Sequence, residues 1–291
     1  LTDLLTERAP AKINLTLHVT GRRADGWHLL ESLVAFSRSG DTLMLAPGKP
    51  LSLSAEGPSA EASGRLGDNL VLRAACHFAE HFPAARLGAF HLIKRLPVAA
   101  GLGGGSSDAA AALRLLARAN ALSLEEPGIM DAAKATGADV PVCLESRARM
   151  MRGTGDELGP PLKIAPLIAL LVNPGVPVET KSVFARMKIA PSAASGFGGH
   201  PELKPGMPGE AFLAALRKGR NDMEAAACQL APVIGDVLAV LSAARGCRLA
   251  RMSGSGATCF AVFPDCRAAA RAKKAILRVH PEWWVKACVL G

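Results

Sequence analysis

Pro97-Val98-Ala99-Ala100-Gly101-Leu102-Gly103-Gly104-Gly105-Ser106-Ser107 runs straight into the alanine-rich stretch Asp108–Ala119. Four glycines remove side chains immediately before a segment of high helix propensity. Bare backbone N–H groups can close around an anion there, and the helix N-terminus adds partial positive charge. Ser106 and Ser107 carry hydroxyls suited to capping that helix and to meeting a phosphate or a cation. The segment therefore reads as a phosphate loop. Two familiar loops do not fit it. A P-loop needs a lysine after its glycines, and none follows; the dinucleotide fingerprint needs Gly or Ala where Ser106 stands.

Upstream, Ile13, Leu15, Leu17 and Val19 alternate with Lys12, Asn14, Thr16 and His18. Period two predicts a half-buried strand, with Pro10 at its start and Lys12 and Asn14 side by side on the solvent face. Gly21–Gly26 reads as a charged turn. Leu29–Phe36, Thr42–Leu45 and Leu51–Ser54 read as short strands, Asp68–Glu80 as a helix and Phe90–Leu96 as a strand. Downstream, Glu125–Ala135 predicts a helix, and Gly137-Ala-Asp139-Val-Pro-Val142 a tight, partly buried turn.

Pro160-Pro161 marks the expected boundary between two domains, 1–159 and 160–291, with a return of the last strand toward the first domain as the expected exception. Leu167–Val172 is an expected buried strand and 190–209 a long mobile loop. Helices are expected over Glu210–Lys218, Asp222–Leu230, Val233–Ala243 and Arg267–Val279, and strands over Ala257–Phe263 and Trp284–Val289. Helices and strands mix without a regular βαβ alternation, which predicts an α+β fold.

The chain has 291 residues, 49% of them hydrophobic and 20% charged, a globular composition. The longest apolar stretch, Ala165–Val172, is too short to cross a bilayer. Leu1–Arg8 carries Asp3 and Glu7 without an apolar signal core, so an unexported, cytoplasmic protein is expected. Seven scattered cysteines form no C-x-x-C pair and are expected to be reduced and mostly buried. The net charge of +9 favours polyanionic partners. Aromatics are only 4% and tyrosine is absent, which argues against a nucleic-acid stacking surface. Phosphoryl transfer needs cradled phosphates, a carboxylate to take a hydroxyl proton and a neighbouring cation. The glycine loop, Asp139 and Lys12 are the parts available.

The glycine loop closely resembles that of the GHMP family of small-molecule kinases. Three further blocks, in the family's order, add to the resemblance: Ala9-Pro-Ala-Lys12-Ile-Asn14-Leu with Arg23-Ala-Asp25-Gly-Trp27-His28, then Gly137-Ala-Asp139-Val-Pro-Val, then Met252-Ser-Gly254-Ser-Gly256-Ala-Thr-Cys-Phe. They are most similar to the members that act on a cytidine-diphosphate-linked polyol. That resemblance implies a two-domain fold: an N-terminal domain like the second domain of ribosomal protein S5 and a ferredoxin-like C-terminal domain. It implies ATP-dependent phosphorylation of the 2-hydroxyl of 4-diphosphocytidyl-2-C-methyl-D-erythritol, in the non-mevalonate route to isoprenoid precursors.

Carried over by position, Lys12 and Asp139 are the catalytic pair, with Asp139 as base. Pro97, Gly101, Leu102, Gly103, Gly104, Gly105, Ser106 and Ser107 would bind ATP with Mg²⁺, Ser107 being the metal candidate, and Asn69 and Lys94 would lie on the nucleotide side. Asn14 would hold the erythritol end. Asp25, Trp27 and His28 would serve the cytidine, Trp27 by stacking and His28 by polar contacts. Phe184 would take the opposite face of the base, and Gly254 and Gly256 would let backbone approach the substrates. The family usually has Gly-Tyr-His where this chain has Gly26-Trp27-His28; indole stacks as well but donates only. Small molecules, rather than nucleic acid or membrane, are the expected partners. Another kinase of the family, of the homoserine or mevalonate type, and a non-catalytic nucleotide binder are the competing readings.

Overall fold

The computed structural model describes residues 4–63 and 66–291. Leu1–Asp3, and with them part of the N-terminal reading above, lie outside the described residues. The Cα positions divide the chain into two compact units, each assembled from separate stretches: Leu1–Lys12, Ser39–Val98 and Gly103–Ser146 in the first, Ile13–Arg38, Ala99–Leu102 and Arg147–Gly291 in the second. The expected boundary at 159/160 falls inside the second unit.

The first unit holds most of β1 (Leu5–Asn14), the second half of β3 (His28–Pro47), β4 (Ser52–Glu56) and β5 (Gly88–Ile93). β3 pairs antiparallel with β5 from Thr42↔Ile93 to Pro47↔Gly88, and β4 runs parallel to β5. Four helices complete it: α1 (Leu70–His81), α2 (Gly104–Ala119), α3 (Pro127–Thr136) and α4 (Val140–Glu145). Asn69 caps α1, and Val71, Ala74, Ala75 and Phe78 form its buried face. Ala109–Ala112 of α2 are wholly buried, so the alanine run gives a slim helix that packs between α1 and α4.

The second unit contains β2 (His18–Arg22), the first half of β3, β6 (Arg149–Arg152), β7 (Glu157–Leu158), β8 (Leu167–Asn173), β9 (Leu249–Met252), β10 (Cys259–Phe263) and β11 (Trp284–Leu290). Five helices accompany them: α5 (Thr180–Met187), α6 (Gly209–Lys218), α7 (Glu224–Leu230), α8 (Val233–Ala243) and α9 (Cys266–Val279). The last four strands lie in the order β11-β8-β10-β9, all antiparallel, which is the fourth-first-third-second order of a ferredoxin-like sheet. α9, capped by Asp265, buries Ala268, Ala269, Ala272 and Ile276 in the core with Leu170, Val172, Val237 and Phe263. Segment 190–209 is anchored rather than loose: Ser195 N–H donates to the Thr20 carbonyl at 3.1 Å, and Thr16 Oγ1 bonds His200 Nε2 at 2.6 Å.

Three expectations need correction. The half-buried strand over 13–19 is interrupted between β1 and β2, and both faces are covered: Lys12, Asn14, Thr16 and His18 are as buried as their apolar neighbours, because each finds a polar partner. The segments Leu29–Phe36 and Thr42–Leu45 are one twenty-residue strand. Of the seven free thiols only Cys143 and Cys259 are buried, while Cys76 and Cys266 are exposed on α1 and at the start of α9. Among the described residues no helix is long and apolar enough to cross a membrane.

Candidate active site

In the first unit, Lys12 Nζ stands 2.8 Å from Asp139 Oδ1. The lysine side chain is 6% exposed and the aspartate 39%. Asp139 occupies the N-cap position of α4, yet its carboxylate makes no cap bond. A turn aspartate ordinarily spends its oxygens on the helix it starts. Here the carboxylate is spent on a buried ammonium and keeps part of its surface open to solvent.

Gly103 sits beside that lysine. Its backbone is left-handed, φ 59° and ψ 24°, and it is the N-cap of α2. A Cβ built there would lie 3.1 Å from Lys12 Cβ and 3.2 Å from Cε, so glycine is required by both conformation and space. The helix hydrogen bonds begin with Ser107 N–H to the Gly103 carbonyl, 2.9 Å. Ser106 and Ser107 are thus inside α2 instead of capping it, and no side chain caps that N-terminus. The first-turn N–H groups of Gly104, Gly105 and Ser106 have no helical partner and suit an anion.

Ser107 differs from its expected role. It is fully buried, and its hydroxyl donates to the Pro10 carbonyl at 2.6 Å, tying β1 to α2 rather than facing a metal. Cys143 Sγ lies 3.4 Å from it, and burial pushes this thiol up to about 12, so it is no nucleophile. Lys94 is likewise buried. Its Nζ donates to Asp41 Oδ2 at 2.6 Å and Asp108 Oδ2 at 2.5 Å, directly below the loop: a Cβ on Gly104 would be 3.2 Å from Nζ. Burial works against the Lys94 charge, but the two carboxylates overcome it and hold the ammonium above the ordinary lysine range. Burial pushes Asp108 up to about 7, with Lys94 opposing and Asp41 adding to the rise. Asn69 Oδ1 accepts from Val71 N–H at 3.0 Å as the α1 cap. Pro97 is half-buried where the chain leaves β5.

In the second unit, Asn14 Nδ2 donates to Ser32 Oγ at 2.8 Å, and its backbone N–H donates to Ser253 Oγ at 3.1 Å. Ser253 Oγ in turn donates to the Gly101 carbonyl at 2.9 Å. Gly101, φ 71°, is pressed so closely on the Ser253–Gly256 turn that a Cβ would come within 2.3 Å of the Ser253 carbonyl. Leu102 is buried beside it. Gly254 approaches Asn14: a Cβ there would be 3.5 Å from Oδ1. Gly256 lies on the same turn, with φ 88°.

Asp25 shapes the turn before the aromatic pair, accepting from Arg23 at 2.6 Å and from Trp27 N–H at 3.3 Å. Trp27 is 62% exposed, an unusual setting for an indole. The imidazole of His28 stacks on Phe184 of α5, with centroids 4.3 Å apart and planes 12° from parallel. Burial, then the Arg22 guanidinium, holds His28 below the ordinary imidazole range.

The structure therefore brings Lys12, Asp139 and Gly103 together in one unit, and His28 with Phe184, and Asn14 with Gly254, in the other. Asp41, Asp108, Ser32 and Ser253 were not anticipated. Asp41 lies 53 residues from Lys94, and no local pattern links them. Asp108 at the head of the alanine run carried a signal, a carboxylate in an otherwise apolar helix face.

The description "GHMP kinases N terminal domain" matches residues 69–147, and "GHMP kinases C terminal" matches 209–282. A 4-diphosphocytidyl-2-C-methyl-D-erythritol kinase from Methylobacterium radiotolerans is 58% identical over 283 residues, covering 97% of each chain. The protein of that name from Xanthobacter autotrophicus is 56% identical over 291 residues, 99% of each. A crystal structure of 4-(cytidine 5'-diphospho)-2C-methyl-D-erythritol kinase superposes with a TM-score of 0.77 at 34% identity, covering 99% of both chains. The fold is also that of homoserine kinase from Cytophaga hutchinsonii, TM-score 0.67 at 18% identity. The chain belongs to the GHMP kinase family, and within it to the 4-diphosphocytidyl-2-C-methyl-D-erythritol kinases.

Proposed function

We propose that this protein transfers the γ-phosphoryl group of ATP to the 2-hydroxyl of 4-diphosphocytidyl-2-C-methyl-D-erythritol, in the cytoplasm. The observation that carries the reading is the Lys12–Asp139 pair, 2.8 Å apart, with an uncapped, half-exposed carboxylate next to the glycine start of α2. In it Asp139 accepts the hydroxyl proton, and Lys12 orients the carboxylate and steadies the developing alkoxide. The acceptor oxygen bonds to the γ-phosphorus as the bond to ADP breaks. The open N–H groups of Gly104, Gly105 and Ser106 supply donors for phosphate oxygens.

Magnesium, when bound, offsets phosphate charge. Among the described residues no cluster of three His, Cys, Asp or Glu side chains offers it a cage, which suits an ion held chiefly by phosphates and water. Trp27, His28 and Phe184 are assigned to the cytosine, supported by an exposed indole next to a stacked ring pair. Asn14 is assigned to the erythritol hydroxyls. The test is incubation with ATP-Mg and each of the cytidyl compound, mevalonate and homoserine. Phosphate is expected on the cytidyl compound alone. Transfer to one of the others without it would overturn the assignment, and nucleotide binding without transfer would favour a sensor.

A further inference from the structure

Arg22 ends β2, four residues before Gly26 and six before His28. Its guanidinium makes two directed bonds. Nε donates to the Gly26 carbonyl at 3.0 Å, closing the charged turn on itself. Nη1 donates to the Ile189 carbonyl at 3.1 Å, just past the C-terminal end of α5. One side chain thus joins the turn that carries Trp27 and His28 to the segment that follows the Phe184 helix. The backbone of the same residue is tied too, with Arg22 N–H donating to the Ala193 carbonyl at 3.0 Å.

What those ties hold is the His28–Phe184 stack, a contact with a narrow range of useful geometries. His28 Nε2 is buried and has no hydrogen-bond partner among the described residues. A buried polar atom left open on a stacked ring is available to bond a ligand. The ring has to stay neutral for one nitrogen to accept while the other donates. Burial and the Arg22 charge both favour the neutral ring, and the residue stacked on it from α5, Phe184, is uncharged.

We propose that Arg22 is a positioning residue for acceptor binding: its guanidinium bridges the Gly26 and Ile189 carbonyls and so sets the His28–Phe184 platform that receives the cytosine. The proposal rests on the assignment of these rings to the cytidine. Its planar fork is what the role needs, since two carbonyls are met in fixed directions from one group; a lysine ammonium offers charge without that fork.

The experiment compares wild type, Arg22→Ala and Arg22→Lys with ATP-Mg and the cytidyl acceptor. Misplaced binding groups act on substrate binding before chemistry, so Arg22→Ala is expected to raise the acceptor KM about tenfold, with kcat and the ATP KM within about twofold. Arg22→Lys is expected to keep a raised acceptor KM, because the charge returns but the bridge does not. NMR titration of the His28 ring in the free protein supplies a substrate-independent readout: its pKa rises in Arg22→Ala and stays near wild type in Arg22→Lys. An unchanged acceptor KM in Arg22→Ala overturns the proposal, as does an equal fall in every kinetic parameter, the sign of a merely structural role. Full rescue by lysine overturns the bridging argument. Absence of transfer by the wild-type protein would remove the cytidine assignment and this proposal together, and so is told apart from the first three outcomes.

Discussion

Replacing Asp139 by asparagine separates the chemistry of this site from its architecture. The substitution keeps shape and leaves the α4 N-terminus untouched, because the carboxylate makes no cap bond to lose. Its folding cost is the ion pair to Lys12, whose acidic member is 39% exposed. Pairs with that much solvent access are worth about 0–1 kcal/mol, and the asparagine oxygen still faces the ammonium. For a chain of this size about 1 kcal/mol lowers Tm by roughly 2–4 °C. The kinetic cost is far larger. Removing a positioned base lowers turnover about 10²- to 10⁴-fold, or about 3–5 kcal/mol of barrier at about 1.4 kcal/mol per tenfold. ATP affinity is expected to hold within about threefold, since the open N–H groups of α2 are unaltered. A coupled ADP-release assay gives kcat, equilibrium titration gives the nucleotide Kd, and a thermal melt gives Tm. A variant with kcat within tenfold of wild type, or with nucleotide affinity falling as far as turnover, would refute the assignment of Asp139 as base.

Three further outcomes are expected. Gly103→Ala puts a Cβ 3.1 Å from Lys12 Cβ at a φ of 59°; the strain costs about 1–2 kcal/mol, and displacement of the lysine lowers kcat about tenfold, measured by melting and by turnover. Trp27→Ala removes an exposed indole, so Tm should hardly move while acceptor binding weakens by about 1–3 kcal/mol, read from the acceptor KM and competition by cytidine diphosphate. Asp108 has a native pKa of about 7 against an ordinary 3.8. The folded state therefore binds more protons than the unfolded one in that interval, and its contribution to stability is full below about 4 and lost as pH rises through about 7. Urea unfolding at pH 5 and pH 8 should show wild type losing stability relative to Asp108→Asn at the higher pH; a constant difference would contradict the shifted carboxyl.

Local chemistry made the site's parts readable in the sequence, and distance hid their use. The glycine run was legible as a helix start because glycines followed by an alanine run mark the change from turn to helix, and α2 does begin at Gly104. The serines do not cap it, since a left-handed Gly103 starts the helix three residues before Ser106. Lys12 and Asn14 looked solvent-facing because period two cannot tell a wet face from one covered by a distant segment; burial there comes from Asp139, Ser32 and Ser253. α5 was not expected over Thr180–Met187: eight residues with Val183 alone buried carry almost no periodic signal. In the order β11-β8-β10-β9 only β9 and β10 pair locally; β8 pairs with β10 from Cys259↔Val172 to Phe263↔Ile168 and with β11 from Trp284↔Asn173 to Leu290↔Leu167, separations beyond any window of pattern reading.

The placement of the two lysines next to the glycine turn changes how its anion affinity should be understood. Lys12 is committed to Asp139, and Lys94 to Asp41 and Asp108. Neither is a free surface cation, although Lys94 was expected on the nucleotide side of the loop. With two carboxylates on one ammonium, the Lys94 cluster adds no net positive charge below the loop: it is negative with both carboxylates ionised and neutral with a proton on one of them, and Asp108 is the group whose burial favours that proton. For the triphosphate assigned to this turn, the donors left are then the backbone N–H groups and helix dipole of α2, which do not titrate and are fixed before any ligand arrives. Lysine in this arrangement works beneath the loop: Lys12 pairs with the Asp139 carboxylate, and Lys94 pins the first turn of the helix from below. The compactness that allows it is supplied by Gly103 and Gly104, whose missing side chains are what let an ammonium stem and an ammonium head lie against the turn.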